Sequence, residues 1–219
     1  LVFVFNRNLM YLVYFICIFL TIITSTKKPK KNIFYACILS FITVLFTYTV
    51  NFVFATNTQS VEKLLFNILV LVICLLVVYH FYNNRNLTRF LKILYLCLQL
   101  VFFHSILNFF AFFLVKDNLQ TINSLYHECQ TFHNFFFYDL QKSVIQIFDF
   151  DICRNQGLFW EPGILQAYLN LLFFLEAFYF KKRSFFLILI SISIITTYST
   201  AGLTILLVQI IVYVLNEIK

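Results

Sequence analysis

Long apolar stretches, separated by short polar segments, cover most of this 219-residue chain and constrain its fold more than any other feature. About 20 apolar residues in a helix cross the hydrocarbon core of a bilayer. Only 11% of the residues are charged, whereas a soluble domain has about 25%. The pattern therefore excludes a soluble enzyme and predicts an all-α, polytopic membrane helix bundle of about seven transmembrane helices in one domain, residues 1–219. The seven predicted helices are residues 9–24, 33–55, 64–82, 93–115, 159–180, 184–198 and 203–215.

The last two stretches are short, and residues 199–202 between them have the composition of a turn. We predict two crossings that are joined at this turn. The alternative is one long tilted helix with a kink at Gly202.

Lysine and arginine are distributed unevenly between the connecting segments. Eleven of the 16 fall at residues 27–31, 85–92, 181–183 and 219, which lie on one side of the predicted bundle. Since positive residues concentrate in cytoplasmic loops, we predict that the N-terminus and the long loop 116–158 lie outside the cytoplasm. The net charge of +7 then reflects topology, and its short clusters beside helix ends do not indicate a nucleic-acid partner.

The outer loop 116–158 is much longer than the other connections, which is typical of a functional segment. Its apolar residues recur at helical spacing in two groups. We therefore predict one or two amphipathic helices that lie on the outer membrane surface. The two groups are Leu119, Ile122, Leu125, Phe132 and Phe136, followed by Leu140, Val144, Ile147 and Phe148.

Two cysteines, Cys129 and Cys153, lie in this loop. In an oxidising compartment they can form a disulfide or remain as two thiols, and the sequence leaves both possibilities open. A metal site is not predicted, because His127, Glu128 and His133 do not have the His-Glu-x-x-His spacing of a zinc helix.

Two pairs of polar residues lie at i, i+4 spacing within predicted helices: His104 with Asn108, and Gln166 with Asn170. Polar groups in hydrocarbon need partners, so we expect both pairs to face the bundle interior. They are interpreted either as interhelical hydrogen bonds or as the wall of a polar cavity for a headgroup or sugar. Glu176 lies within reach of Lys181 and the cytoplasmic interface, and is interpreted as part of an ion pair rather than as a catalytic residue.

The segment Arg154-Asn-Gln-Gly-Leu-Phe-Trp-Glu-Pro-Gly163 is the strongest local signal in the chain. Pro162 suits the first turn of a helix, and the N-terminus of that helix would face the outer membrane surface. Its free backbone N–H groups together with Arg154 predict an anion site at headgroup depth. Glu161 either accepts a proton from a hydroxyl, or caps the helix and pairs with Arg154. Trp160 is predicted to lie at the membrane interface.

This segment resembles the motif that opens the helix after the large periplasmic loop in bacterial O-antigen polymerases and the related O-antigen ligase-like proteins. A second segment at residues 197–203 resembles the downstream signature of the same family, although Thr200 stands where many relatives have Arg. The resemblance covers about residues 154–214 in detail. The matching residues are Arg154-x-x-Gly157-x-Phe159-x-Glu161-Pro162-Gly163-x-x-x-Ala167 and Thr197-Tyr-Ser199-Thr200-Ala-Gly202-Leu203.

The resemblance implies a polysaccharide repeat-unit polymerase or ligase, a membrane glycosyltransferase of the bacterial inner membrane. Such enzymes act at the periplasmic face, on oligosaccharides that are linked to undecaprenyl diphosphate, as in lipopolysaccharide assembly. They use no nucleotide sugar, metal or other cofactor. Their partners are the lipid-linked oligosaccharide, membrane lipid and other polysaccharide-assembly membrane proteins.

The family also implies roles for individual residues of this chain. Arg154 would stabilise the diphosphate leaving group, and Glu161 would position or deprotonate the acceptor hydroxyl. Gly157 and Gly163 would allow close backbone approach. The remaining implied substrate-binding residues are Gln166, Asn170, Ser199 and Thr200.

Two alternatives remain open at this point. A transporter or lipid-carrier flippase would need ionisable residues near the middle of several helices, and an assembly factor would carry no chemistry.

Members of the family have ten or more spans and a second large periplasmic loop, so the resemblance also implies a fragment or an inactive remnant. The first residue, Leu1, fits a fragment or an alternative start codon.

Overall fold

The structure is a computed structural model that describes residues 7–23, 31–54, 60–83, 87–123, 128–140, 144–147, 150–159, 161–180 and 184–217. Some residues used for the predictions lie outside these ranges: Leu125, His127, Phe148, Trp160 and the basic cluster 181–183. The chain divides into two compact units, residues 5–92 and residues 93–219.

The first unit contains α1 (Arg7–Ile23), α2 (Lys31–Phe54) and α3 (Val61–Asn83). Both α1 and α2 pack against α3, and the rings of Tyr11 and Phe66 lie 5.0 Å apart between α1 and α3. Ile73 is the one side chain of residues 11–82 that is buried where the structure describes it. The other apolar side chains that the structure describes in this unit are therefore exposed or only partly buried, which suits a lipid environment.

The hydroxyl groups of α2 are satisfied within the helix itself. Ser40, Thr43, Thr47 and Thr49 each donate to the carbonyl four residues earlier, at 2.8–3.0 Å. A hydroxyl bonded in this way needs no partner from another helix. The exposed polar residues of α2 are therefore compatible with hydrocarbon.

The second unit contains most of α4 (Leu87–Val115), α5 (Pro162–Phe174), α6 (Ser184–Ile195) and α7 (Thr200–Glu217). The helix α5 continues as a π-helical turn, Leu175–Phe180. Leucines at i, i+4 and i+7 of α5, namely Leu165, Leu169 and Leu172, are fully buried, as are Ile190 and Ile194 of α6. This helical spacing explains why α5 packs against both α6 and α7.

Four helical segments are long and apolar enough to cross a membrane, so the chain is a predominantly helical protein of membrane-embedded type. They are Lys31–Phe54, Val61–Tyr82, Leu87–Asn118 and Pro162–Phe180. Three further apolar helices are shorter: Tyr11–Ile23, Phe185–Ile195 and Thr200–Asn216. The helix breaks between α6 and α7, where Tyr198 has a φ of +48°, so these residues form two separate helices rather than one kinked helix. That each of the two crosses the membrane stays a prediction.

The predicted amphipathic helices of the outer loop are wrong, because the described part of this loop forms antiparallel strands. After a 3₁₀ turn at Lys116–Asn118, β1, β2 and β3 make one sheet in that order, and β4 and β5 make a separate hairpin. Ile122 pairs with Cys129 between β1 and β2. The strands are Gln120–Asn123, Glu128–Phe132, Phe136–Tyr138, Val144–Ile147 and Phe150–Cys153.

Local chemistry explains the hairpin of β2 and β3. Cys129 and Thr131 are buried while Gln130 is half-buried, which is the period of two that a strand produces. His133 and Asn134 have φ angles of 50° and 56°, as the central positions of a type I′ hairpin turn require. A few apolar residues at helical spacing can also occur in short strands. The turn at His133 and Asn134 distinguishes the hairpin from a helix here.

The β2–β3 hairpin packs against the end of α4. The rings of Phe112 and Tyr138 lie 5.3 Å apart, and Cys153 of β5 completes this buried cluster. Asn108 Oδ1 accepts a hydrogen bond from the Phe137 N–H at 3.1 Å, and the Asn108 carbonyl accepts one from the Tyr138 hydroxyl at 2.7 Å. The outer strands are thus fixed to α4 by both apolar and polar contacts.

His104 and Asn108 are buried, as predicted, but in the described part of the chain their side chains bond to the hairpin rather than to another helix. His104 Nε2 lies 2.9 Å from the Phe135 carbonyl. The prediction of interhelical hydrogen bonds is therefore wrong for this pair. A single sequence cannot show that the loop folds back onto the helix that precedes it.

Candidate functional site

The residues that follow β5 form a short segment, Arg154 to Gly157, between α4 and the end of α6. Asn155 holds it in place: its backbone N–H donates to the Thr196 carbonyl at 2.9 Å. Its Nδ2 donates to the Ser105 carbonyl and to Thr196 Oγ1, both at 3.0 Å. Its Oδ1 accepts the Gly157 N–H at 3.2 Å. One buried side chain therefore links α4, the α6 end and the segment itself.

Arg154 is half-buried, and its guanidinium is directed at the turn after α6. Its Nε donates to the Thr197 carbonyl at 3.1 Å, and its Nη2 donates to the Tyr198 carbonyl at 3.2 Å. Carbonyls at a helix C-terminus favour a cation. The structure therefore brings together Arg154 and the turn at residues 197–198, which are the two segments that sequence analysis singled out separately.

The charge of Arg154 has no acidic partner in the described part of the chain. Its two hydrogen bonds are to neutral carbonyls, and they use two of the five N–H donors of a guanidinium. The remaining donors are available to an anion, for which the planar fork of Arg is well suited.

Glu161 occupies the N-cap position of α5, with φ −138° and ψ 137°, and Pro162 follows at the first position of the helix, as predicted. The Glu161 side chain is exposed and makes no capping hydrogen bond. Within the described residues it forms no ion pair with Arg154, so that interpretation is not supported. The carboxylate is exposed, so a ligand that approaches from outside the protein can contact it.

The glycines of the two motifs differ in what they require. Gly157 has a φ of +56°, and a Cβ placed there would lie 3.3 Å from Leu165 Cδ1 and 3.5 Å from Ser105 Cβ. Gly202 is more constrained, because an added Cβ would come within 2.5–2.9 Å of three Gln166 atoms. At Gly163 an added Cβ meets nothing within 4 Å. The protein's own packing therefore requires Gly157 and Gly202 but not Gly163.

Gln166 and Asn170 are buried together at the contact between α5 and α7. Asn170 Nδ2 donates to Gln166 Oε1 at 3.0 Å and to the Gly202 carbonyl at 3.3 Å. Gln209 Nε2 of α7 donates to the Asn170 carbonyl at 3.2 Å. For this pair, interhelical hydrogen bonding is confirmed. Asn170 Oδ1 and Gln209 Oε1 remain without a partner.

Ser199 and Thr200 begin α7. Ser199 is 9% exposed, and its carbonyl accepts the Leu203 N–H at 2.9 Å. Thr200 is exposed, and its carbonyl accepts the Thr204 hydroxyl at 2.9 Å. Ser199 thus directly follows the turn that binds Arg154, while Thr200 lies on the outer side of the helix.

Several buried polar residues near the site show no pattern in the sequence that marks them. Asn155 and Gln156 were only unassigned positions between Arg154 and Gly157. Ser105 and Ser193 share a hydrogen bond at 2.9 Å between their hydroxyls, both buried. These partners are 88 residues apart along the chain, so periodicity along the sequence cannot reveal them.

Glu176 lies in the π-helical turn and is 1% exposed. The Tyr95 hydroxyl of α4 donates to its Oε2 at 2.5 Å. The predicted lysine partner belongs to residues 181–183, outside the described residues. A buried carboxylate in a π-helical turn is a feature that often accompanies function.

Cys129 and Cys153 are both buried and both free thiols in the structure. Burial, with a further contribution from the Asp139 charge, raises the pKa of the Cys153 thiol to about 12. Burial and the same carboxylate also raise the pKa of Cys129. Both thiols are therefore protonated near neutral pH and are poor nucleophiles.

Comparison of the chain with protein-family models, with curated proteins and with solved structures finds no match. The site is therefore defined by its own geometry: the Arg154 guanidinium is held by two carbonyls and has no acidic partner among the described residues, and the buried segment Asn155–Gly157 directly follows it.

Proposed function

We propose that this chain is a membrane glycosyltransferase that polymerises or ligates oligosaccharides carried on undecaprenyl diphosphate. In this proposal about seven helices span the bacterial cytoplasmic membrane, the N-terminus is outside, and the strand-containing loop 116–158 is periplasmic. The apolar helices support the membrane location. Orientation and family rest on the distribution of basic residues and on the two sequence motifs.

The observation that carries the proposal is the state of Arg154. It is half-buried and fixed by two backbone carbonyls, and it has no acidic partner in the described residues. Burying a cation without a counter-charge is costly, so a ligand with negative charge is the natural complement. A lipid diphosphate supplies that charge at the depth of the membrane interface.

The proposed reaction transfers the reducing-end sugar to an acceptor hydroxyl. The acceptor oxygen forms a bond to the anomeric carbon, the bond from that carbon to the phosphate oxygen breaks, and the lipid diphosphate leaves with the electron pair. Arg154 stabilises the charge that develops on the leaving group. Glu161, whose carboxylate is exposed at the start of α5, accepts the hydroxyl proton.

The proposal is tested by the length of surface polysaccharide in cells that carry an Arg154→Gln chain. We expect the ladder of chain lengths to disappear while the amount of protein in the membrane is unchanged. Lys116→Gln is the matched control, because it removes an exposed positive charge from the same outer loop. A normal ladder in the Arg154→Gln cells contradicts the proposal.

A transporter of lipid carriers is the second candidate, and Glu176 is the observation that favours it. A carboxylate that is 1% exposed and bonded to Tyr95 within a candidate span resembles the ionisable groups of transport pathways. In proteoliposomes, Glu176→Gln is expected to abolish lipid-carrier flipping if the chain is a transporter. Polymerisation that is lost in Arg154→Gln and retained in Glu176→Gln favours the glycosyltransferase.

A further inference from the structure

Several buried polar atoms of the described residues have no hydrogen-bond partner, and two of them belong to Gln156, two residues after Arg154. Gln156 is 0% exposed, and neither its Oε1 nor its Nε2 has a partner. On α4, His104 Nδ1 and Asn108 Nδ2 are also buried and unpartnered. Proteins satisfy about 90% or more of such groups, so these four unpartnered atoms on three side chains indicate that polar groups from outside the protein bind to them.

The three side chains lie on two segments that are joined by direct contacts. Asn155, which precedes Gln156, donates to the carbonyl of Ser105, the residue after His104. A Cβ added at Gly157, which follows Gln156, would lie 3.5 Å from Ser105 Cβ. The chain on both sides of Gln156 therefore contacts the turn of α4 that carries the His104 and Asn108 side chains.

The unpartnered atoms form a mixed set of donors and acceptors. His104 Nε2 bonds to the Phe135 carbonyl and is therefore protonated, which leaves Nδ1 of the neutral ring as an acceptor. Asn108 Oδ1 accepts from the Phe137 N–H, so its Nδ2 is a free donor. Gln156 offers one acceptor and one donor. Anions need donors and metal ions need acceptors, whereas sugar hydroxyl and acetamido groups both donate and accept.

We propose that Gln156, His104 and Asn108 form a subsite for the hydroxyl or acetamido groups of the sugar that is attached to the diphosphate. This inference rests on the proposed function, because the diphosphate at Arg154 brings the attached sugar next to Gln156. It assigns to Gln156 the role of distinguishing a glycosylated lipid diphosphate from a bare one. The Arg154 site alone binds both.

The test measures the Kd of two probes for the full chain in lipid nanodiscs. One probe is undecaprenyl diphosphate, and the other is undecaprenyl diphosphate that carries N-acetylglucosamine. The wild-type chain is expected to bind the glycosylated probe at least about tenfold more tightly, as one or two buried hydrogen bonds provide. Gln156→Leu is expected to remove this difference and to leave the Kd of the bare lipid within about twofold.

Two controls keep the result specific. Gln146→Leu makes the same change at an exposed position of β4 and is expected to preserve the tenfold preference. The melting temperature of Gln156→Leu should not fall, because the amide has no partner within the protein to lose. If Gln156→Leu does not fold, Gln156→Met removes the same amide with an unbranched side chain and is measured in its place.

The outcomes separate the two proposals. Equal Kd values for both probes in the wild-type chain, or a preference that persists without the Gln156 amide, overturn the subsite and leave the proposed function standing. Binding of neither probe to the wild-type chain overturns both. A tenfold preference that is lost with the amide supports the subsite.

Discussion

The two units of the chain differ in how many polar side chains they bury among the described residues. Hydroxyls of α2 in residues 5–92 bond to carbonyls of their own helix. In residues 93–219 twelve polar or charged side chains are buried among those that the structure describes, and many bond between distant segments. In the first arrangement the hydrogen bonds of the hydroxyls are satisfied within one helix, as a lipid environment requires. In the second, polar side chains form part of the interior. The comparison shows that, among the described residues, the buried polar side chains are concentrated in the second unit.

The largest expected effect on stability is at Asn155, which makes four hydrogen bonds through its backbone and side chain. Asn155→Ala is expected to lower the free energy of unfolding by about 2–4 kcal/mol, because it leaves buried donors and acceptors unpaired. Thr43→Val in α2 is the matched change in the first unit and should cost less than about 0.5 kcal/mol. Equal decreases in the free energy of unfolding of the two variants, measured in detergent, would contradict the difference between the units.

The next effect distinguishes two glycines of the second unit. Gly202→Ala places a Cβ within 2.5–2.9 Å of Gln166 and is expected to cost about 1–3 kcal/mol by overpacking. Gly163→Ala meets nothing within 4 Å and should be neutral or stabilising by up to about 1 kcal/mol. Thermal unfolding of both variants measures the difference, and a destabilised Gly163→Ala would show that this position has a further constraint.

At neutral pH the smallest effect is expected from the thiol of Cys153, because its contribution changes only at alkaline pH. Its pKa is raised from 9.0 to about 12 by burial, with the Asp139 charge adding to the shift. Because the folded-state pKa is the higher one, the stabilisation is complete below about pH 9 and is lost as the pH rises toward 12. The melting temperature should therefore fall over this interval by more in the wild-type chain than in Cys153→Ala. Parallel curves for the two proteins would contradict the assignment.

Hydropathy in the sequence was enough to predict the helices, because length and apolar content decide what can lie in a bilayer. The α5 start at Pro162 and the break before Thr200 follow from local chemistry that is visible in the sequence. The outer strands were not predicted. Their apolar residues are too few to distinguish a period of 3.6 from a period of two, and the deciding turn at His133 and Asn134 depends on backbone angles.

The candidate site was predictable only in part. Gln166 and Asn170 could be paired because both lie on one helix at i, i+4 spacing. Asn155 and Gln156 could not be recognised as site residues from the sequence. Their surroundings include Ser105 and the α6 end, which only the fold brings close to them. The bond from Tyr95 to Glu176 joins residues 81 positions apart. Such pairings arise from tertiary packing and leave no periodic trace in a single sequence.

The most direct test of the central claim measures how much Arg154 contributes to the affinity of the chain for a lipid diphosphate. The Kd of undecaprenyl diphosphate is measured for the wild-type chain, for Arg154→Gln and for the control Lys116→Gln, all in nanodiscs. We expect Arg154→Gln to weaken binding by about 30-fold, the loss of a charged hydrogen-bond donor set, while Lys116→Gln stays near wild type. An unchanged Kd in Arg154→Gln, with the variant folded, contradicts the account.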